Sequence, residues 1–196
     1  MPVLSQPTGL RLLASQNSIR AWPGGFGFAK LGANYGPTLM ANSEANARGY
    51  QQVLWLLDGN VTEAGASNFF VVWKNKETGK TELVTAPLEG KIILDGVTRR
   101  SILQLVRERL VEERNGLEGL EIVERKFGME EVADAVKEGR VVEAFAAGTA
   151  VCFFPLFLNL YSFLQLPSLS YPSKIMVKAN NKIVFCLPRL NNQLPR

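Results

Sequence analysis

Phe28-Ala29-Lys30-Leu31-Gly32-Ala33-Asn34-Tyr35-Gly36 and, further along, Val61-Thr62-Glu63-Ala64-Gly65 are the two stretches on which the reading of this chain turns. A lysine set among small residues can bring its amine against a planar ligand without steric obstruction. A carboxylate further along can complete a site for a cationic heteroaromatic ring. Together they suit a Schiff base to pyridoxal 5'-phosphate (PLP), with the acid facing the pyridinium proton. A lysine beside glycines is, by itself, more often a solvated loop residue. The surrounding sequence has to decide between the two.

Just upstream lies Arg20-Ala21-Trp22-Pro23-Gly24-Gly25, where a proline beside paired glycines excludes regular structure and places Lys30 at the exit of a loop. Residues 9–13 read as a short strand leading into that loop. Downstream, Asn42-Ser43 offers a cap for a short amphipathic helix over 44–49 that a glycine ends. The continuous apolar run 52–57 reads as a buried strand. Residues 68–73 and 81–85 read as a hairpin around the charged, turn-rich stretch 75–80. Ile92-Ile93 reads as a further strand. Asp95-Gly96-Val97-Thr98 then opens a helix whose apolar stripe is Ile102, Leu105, Val106 and Leu110. A strand over 121–126 and a charged helix over 129–137, stopped by Gly139, complete the alternation of an α/β domain. No internal repeat and no linker rich in Pro or Ser divides residues 1–150.

A chain of 196 residues is long enough for one real core, and its hydrophobic fraction of 46% is ordinary for a globular protein. The net charge of +4 is unevenly placed. Residues 1–150 carry 17 basic against 18 acidic side chains, whereas 151–196 carry five basic residues and no acid. The basic excess therefore belongs to the tail and gives no reason to expect a nucleic-acid partner. Histidine is absent, which excludes Ser-His and Cys-His nucleophilic pairs and HExxH zinc sites. Proton transfer is left to Lys, Tyr or a carboxylate. Cys152 and Cys186 lack metal-ligand spacing and read as free thiols, so no metal is expected. No charged-then-apolar leader opens the sequence; secretion is not expected, and an intracellular location, cytoplasmic or mitochondrial, is. The apolar stretch 151–166 is interrupted by Pro155, Asn159 and Gln165 and falls short of the roughly 20 residues of a membrane helix, so no membrane span is expected.

Five ordered blocks carry a resemblance. They are Arg20-Ala21-Trp22-Pro23-Gly24-Gly25 with Lys30-Leu31-Gly32-Ala33-Asn34-Tyr35, then Gln52-Val53-Leu54-Trp55-Leu56, Val61-Thr62-Glu63-Ala64-Gly65, Gly96-Val97-Thr98-Arg99 and Gly148-Thr149-Ala150. In this order and spacing the chain resembles the branched-chain amino acid aminotransferases, class IV aminotransferases of PLP fold type IV, over roughly residues 11–150. The implied fold is the large α/β domain of those enzymes, incomplete here. The implied activity is PLP-dependent transfer of an amino group between Leu, Ile or Val and 2-oxoglutarate, by ping-pong chemistry and in a homodimer for the complete enzyme, and impaired in this truncated chain.

The resemblance also implies roles. Lys30 is the Schiff-base lysine and then the base that moves the proton. Glu63 holds the proton of the pyridine nitrogen, and Tyr35 hydrogen-bonds the phenolate oxygen of the cofactor. Gly96, Val97 and Thr98 form a turn at a helix start whose unpartnered amides suit a phosphate. Thr149 reaches the phosphate, and the Thr149-Ala150 turn takes the substrate carboxylate. Two departures stand out. Gly65-Ala66-Ser67-Asn68 stands where the family often has Gly-Thr-Met-Asn, which removes one hydroxyl beside the cofactor. The family also carries a small domain before the position of Arg20, with a phosphate-gripping arginine, and neither Arg11 nor Arg20 sits in a matching context for it.

After Ala150 the pattern changes. No charged residue occurs between Glu143 and Lys174, and Phe, Leu, Ser and Pro dominate 151–173, all residues with pyrimidine-rich codons. Residues 151–196 therefore read as a separate, apolar then basic tail, the product of a retained intron or, alternatively, a divergent C-terminus. Two other functional readings stay open: a D-amino acid aminotransferase or aminodeoxychorismate lyase on the same fold, and an inactive chain that at most associates with a full-length subunit.

Overall fold

Side chains at 12–14, 53–56 and 69–71 switch from one apolar environment to another at every residue. Leu12, Ala14, Leu54, Leu56, Phe69 and Val71 face one core, while Leu13, Val53 and Trp55 join a second and Phe70 a third. This period of two, apolar on both sides, is what a strand covered on both faces requires. The computed structural model describes residues 10–15, 17–111, 119–149, 151–159, 178–179 and 183–184.

The strands are β1 (Leu10–Ala14), β2 (Gln52–Leu57), β3 (Asn60–Ala64), β4 (Ser67–Lys74), β5 (Thr81–Thr85), β6 (Leu120–Glu124), β7 (Val141–Gly148) and β8 (Val151–Asn159). They form one sheet in the order β3-β2-β1-β8-β7-β4-β5-β6. β3 also pairs with β4, which closes six of the strands into a ring and leaves β5 and β6 as an extension. A separate antiparallel pair joins β9 (Lys178–Ala179) and β10 (Ile183–Val184).

Among the described residues three helices cover the sheet: α1 (Thr38–Ala47), α2 (Val97–Arg109) and α3 (Met129–Lys137). Val132, Ala133, Ala135 and Val136 of α3 share the largest core with Leu12, Leu54, Phe69 and Val71. Ala41 and Ala45 of α1 pack on Leu13, Val53 and Trp55. Ile102, Leu103 and Val106 of α2 pack on Phe70, Leu83 and Ala147.

The strand over 52–57, the hairpin of β4 and β5, the strand near 121–126 and the helix over 129–137 all form as expected. Three expectations need correction. The first helix begins at Thr38, not at residue 44, because Pro37 enters it with a helix-compatible φ of −61° and Thr38 Oγ1 donates to the Tyr35 carbonyl at 2.7 Å. Asn42 and Ser43 therefore sit inside the helix. Ile92-Ile93 forms no strand; Glu89–Lys91 is a single 3-10 turn and Lys91 has a φ of 57°, so the chain is reversing there. On α2, Leu105 and Leu110 are exposed, and the covered stripe is Arg99, Ile102, Leu103 and Val106. A charged residue heads that stripe, which hides it from a hydrophobic pattern. β3 and β7 had no sequence expectation. The sheet also runs past residue 150: β8 pairs parallel with β1, Leu10 opposite Leu156, and antiparallel with β7.

Phe70 is fully buried and stacked on Phe145 with ring centroids 5.0 Å apart, under α2. Phe70→Ala should destabilise the fold by about 3–5 kcal/mol, read as a lowered urea midpoint with an unchanged slope. A loss below about 1 kcal/mol would mean that the contact between α2 and the sheet is not part of the core.

Candidate functional site

Glu63 lies in β3 opposite Trp55 on one side and Asn68 on the other, with its side chain 3% exposed. A carboxylate so removed from water is tolerable only if its oxygens find partners. Oε1 accepts from the Leu94 N–H at 3.0 Å and from Asn68 Nδ2 at 3.1 Å. Oε2 lies 2.8 Å from Nε of Arg20, itself 3% exposed. That contact is an ion pair and not an aligned hydrogen bond. The other Arg20 nitrogens donate to the Gly27 carbonyl at 3.3 and 3.4 Å and to the Ile92 carbonyl at 3.3 Å.

Gly27 is what lets the loop come this close: a Cβ there would stand 2.3 Å from the Ile92 carbonyl oxygen. One buried acid thus draws together the loop before Lys30, strands β3 and β4, and the chain leading into α2. Burial pushes the Glu63 carboxyl up to about 7, against the opposing pull of Arg20, the Leu94 N–H and Lys30.

The N-terminus of α2 is the second component. Gly96 occupies its N-cap in extended conformation and no side chain caps the helix, so the first-turn amides are free of side-chain partners and the helix dipole favours an anion. Arg99, 1% exposed, ties this turn down through Glu124 at 2.7 Å and the Ala86 carbonyl at 3.0 Å.

Lys30, Glu63, Val97, Thr98 and Thr149 line a single cleft of about 500 Å³, together with Asn68 and Gly96. Tyr35 is not part of its wall; its ring centroid lies 5.3 Å from Lys30 Nζ, on an exposed lysine. Ala150 lies outside the described residues. Sequence reasoning gave no role to Arg20 or Asn68 in the surroundings of Glu63. The signal for Asn68 was present: five residues after Glu63, across a tight turn, is a position directly opposite it in an antiparallel pair. Among the described residues no cluster of His, Cys, Asp or Glu could hold a metal ion, and no helix is long and apolar enough to cross a membrane.

Residues 8–156 match the family described as Amino-transferase class IV. The chain is 49% identical over 149 residues to the mitochondrial branched-chain-amino-acid aminotransferase of Schizosaccharomyces pombe, covering 75% of this chain and 33% of that protein. It is also 49% identical to the cytosolic enzyme of that name from Saccharomyces cerevisiae, over 75% of this chain and 38% of that protein. The chain therefore spans between a third and two fifths of the length of these curated relatives. Among solved structures, the branched-chain amino acid aminotransferase of Escherichia coli superposes with a TM-score of 0.58 at 28% identity, over 76% of this chain and 43% of that one. The PLP-form holoenzyme from Thermobaculum terrenum superposes with a TM-score of 0.57 at 29% identity, over 76% and 42%.

The raised Glu63 value sets a pH dependence. Between about pH 4.5 and 7 the folded chain holds a proton that the unfolded chain has released, so stability falls as pH rises through that window and levels off above it. The full change is about 3 kcal/mol. Glu63→Gln cannot titrate, so the stability of the wild type relative to this variant should drop by about that amount from pH 4.5 to about 7.5, measured by urea unfolding. A difference independent of pH would show that Glu63 is not desolvated as described.

Proposed function

Since the chain belongs to the class IV aminotransferases, we propose that it carries the PLP site of a branched-chain amino acid transaminase, whose whole protein transfers an amino group between Leu, Ile or Val and 2-oxoglutarate. The observation that carries this reading is the convergence of Lys30, Glu63 and the uncapped start of α2 on one cleft. An amine, a buried acid and an anion-binding helix end are the three features that an aldehyde on a phosphorylated, cationic heteroaromatic ring requires. The cofactor therefore fits the residues present.

Lys30 is the residue that would hold the cofactor covalently. The amides of Val97 and Thr98, with Thr149, would hold its phosphate, and Glu63 its ring nitrogen. When bound, PLP supplies an electron sink for the pair freed at the substrate α-carbon. The work of the chain is different. Once the substrate amine has displaced it from the cofactor, Lys30 Nζ, exposed at the cleft, would be a neutral amine placed to take a proton from that carbon and return it elsewhere. Glu63, already paired with Arg20, keeps a full negative charge once a cationic nitrogen stands beside it, because an opposite charge lowers its pKa. Thr149, with Ala150, is assigned to the substrate carboxylate, and Tyr35, under the lysine, to the phenolate oxygen. The complete protein is proposed to be an intracellular homodimer acting on small amino acids and 2-oxo acids.

Two measurements test this reading. Borohydride reduction of the PLP-loaded chain followed by peptide mapping should place a pyridoxyl group on Lys30, and Lys30→Ala should abolish the label; labelling unchanged in the variant refutes the assignment. With the substrate half-reaction, added L-leucine should yield its 2-oxo acid while D-alanine yields none. Glu63→Gln should slow that half-reaction by roughly 10- to 100-fold, the scale of one charge-assisted hydrogen bond, and weaken PLP capture much less. An unchanged single-turnover rate would remove Glu63 from the role.

A further inference from the structure

Asn68 sits between the two halves of the cleft, and its contacts go to both. It is 4% exposed on β4. Nδ2 donates to Glu63 Oε1 at 3.1 Å and to the Leu94 carbonyl at 2.8 Å. The Leu94 carbonyl can only accept, so the amide faces it through its nitrogen. The Leu94 N–H donates to the same Glu63 oxygen at 3.0 Å, and the Gly96 N–H donates to the Leu94 carbonyl at 2.9 Å. The result is an unbroken chain of hydrogen bonds from the acid of β3 to the N-cap of α2.

The other end of the amide fixes that N-cap by contact. Asn68 Oδ1 stands 2.4 Å from where a Cβ on Gly96 would be, and no other atom comes closer than 3.6 Å to that point. Gly96 has ordinary extended angles, φ −67° and ψ 138°, which any residue can adopt. Glycine is therefore required at 96 by the Asn68 side chain and not by the backbone.

We infer that Asn68 is a positioning residue that sets the distance between the Glu63 carboxylate and the N-terminus of α2, so that a ligand with a ring nitrogen at one end and a phosphate at the other can meet both at once. This inference rests on the PLP reading above. Its distinguishing property is that each end keeps its own partners without Asn68. Glu63 retains Arg20 and the Leu94 N–H, and the start of α2 retains its backbone amides. What is lost is their register, which only a ligand spanning both ends can sense.

Dissociation constants for PLP, pyridoxal and inorganic phosphate should be measured on the full chain as wild type, Asn68→Ala, Gly96→Ala and the double variant, with thermal melts alongside. Asn68→Ala should weaken PLP about tenfold and change pyridoxal and phosphate less than about twofold. Gly96→Ala should do the same in the wild-type background. In the double variant the methyl occupies vacated space, so the loss should equal that of Asn68→Ala alone. Equal weakening of all three ligands would mark Asn68 as merely structural and overturn the inference, as would full additivity of the two substitutions. Should Asn68→Ala fail to fold, Gly96→Ala carries the comparison of spanning against one-ended ligands by itself. Failure of the wild type to bind either PLP or pyridoxal would instead sink the cofactor reading, and the inference with it.

Discussion

The structure around the cleft depends on one desolvated carboxylate. Glu63 has left water, and it stays buried because three segments distant in sequence each bring it a partner: Arg20 from the loop ahead of Lys30, the Leu94 N–H from the approach to α2, and Asn68 from β4. Removing Arg20, its charged partner, would leave the buried carboxylate uncompensated at a cost of several kcal/mol, more than most single contacts contribute. The ion pair is therefore the strongest tie between these segments, and the two neutral donors add to it. Because Arg20 is also bound to the carbonyls of Gly27 and Ile92, the position of the Lys30 loop follows from the same interaction.

The sheet places this acid where it can be reached from a cleft. The turn between β3 and β4 puts Glu63 opposite Asn68, and the pairing of β3 with β4 closes the ring of strands at that point. α2 packs on the face carrying Phe70 and Leu83, with Arg99 anchored to Glu124 on β6. Arg99 is buried and Glu124 partly exposed, so the start of α2 is oriented from behind by an ion pair and from the front by Asn68. The electrostatics of the cleft are correspondingly divided: an acid with its own cation at one end, and a helix N-terminus that favours an anion at the other.

Much of the scaffold was legible along the chain. The apolar run of β2, the hairpin of β4 and β5, and the amphipathic α3 have patterns that local physics alone produces. The misses have local causes. The cap-like pair Asn42-Ser43 lies within α1, whose entry is Pro37, a residue with no side-chain cap to mark it. Ile92-Ile93 is too brief to show a period, and Ile93 is buried by tertiary packing rather than by a strand. The stripe of α2 begins with Arg99, and no hydrophobic pattern reports a buried ion pair.

Residue type and spacing by themselves determined the α/β class, the loop that presents Lys30, and the pairing of one lysine with one acid as the chemistry worth seeking. They also excluded histidine-based catalysis. Tertiary structure alone decided that Glu63 is buried, that Arg20 neutralises it across a gap of more than forty residues, and that Asn68 and Gly96 fit against one another. The division has a physical reason. Helix and strand periods, turns and caps are set by neighbours a few residues apart, whereas desolvation and charge pairing depend on what the fold brings near from elsewhere in the chain.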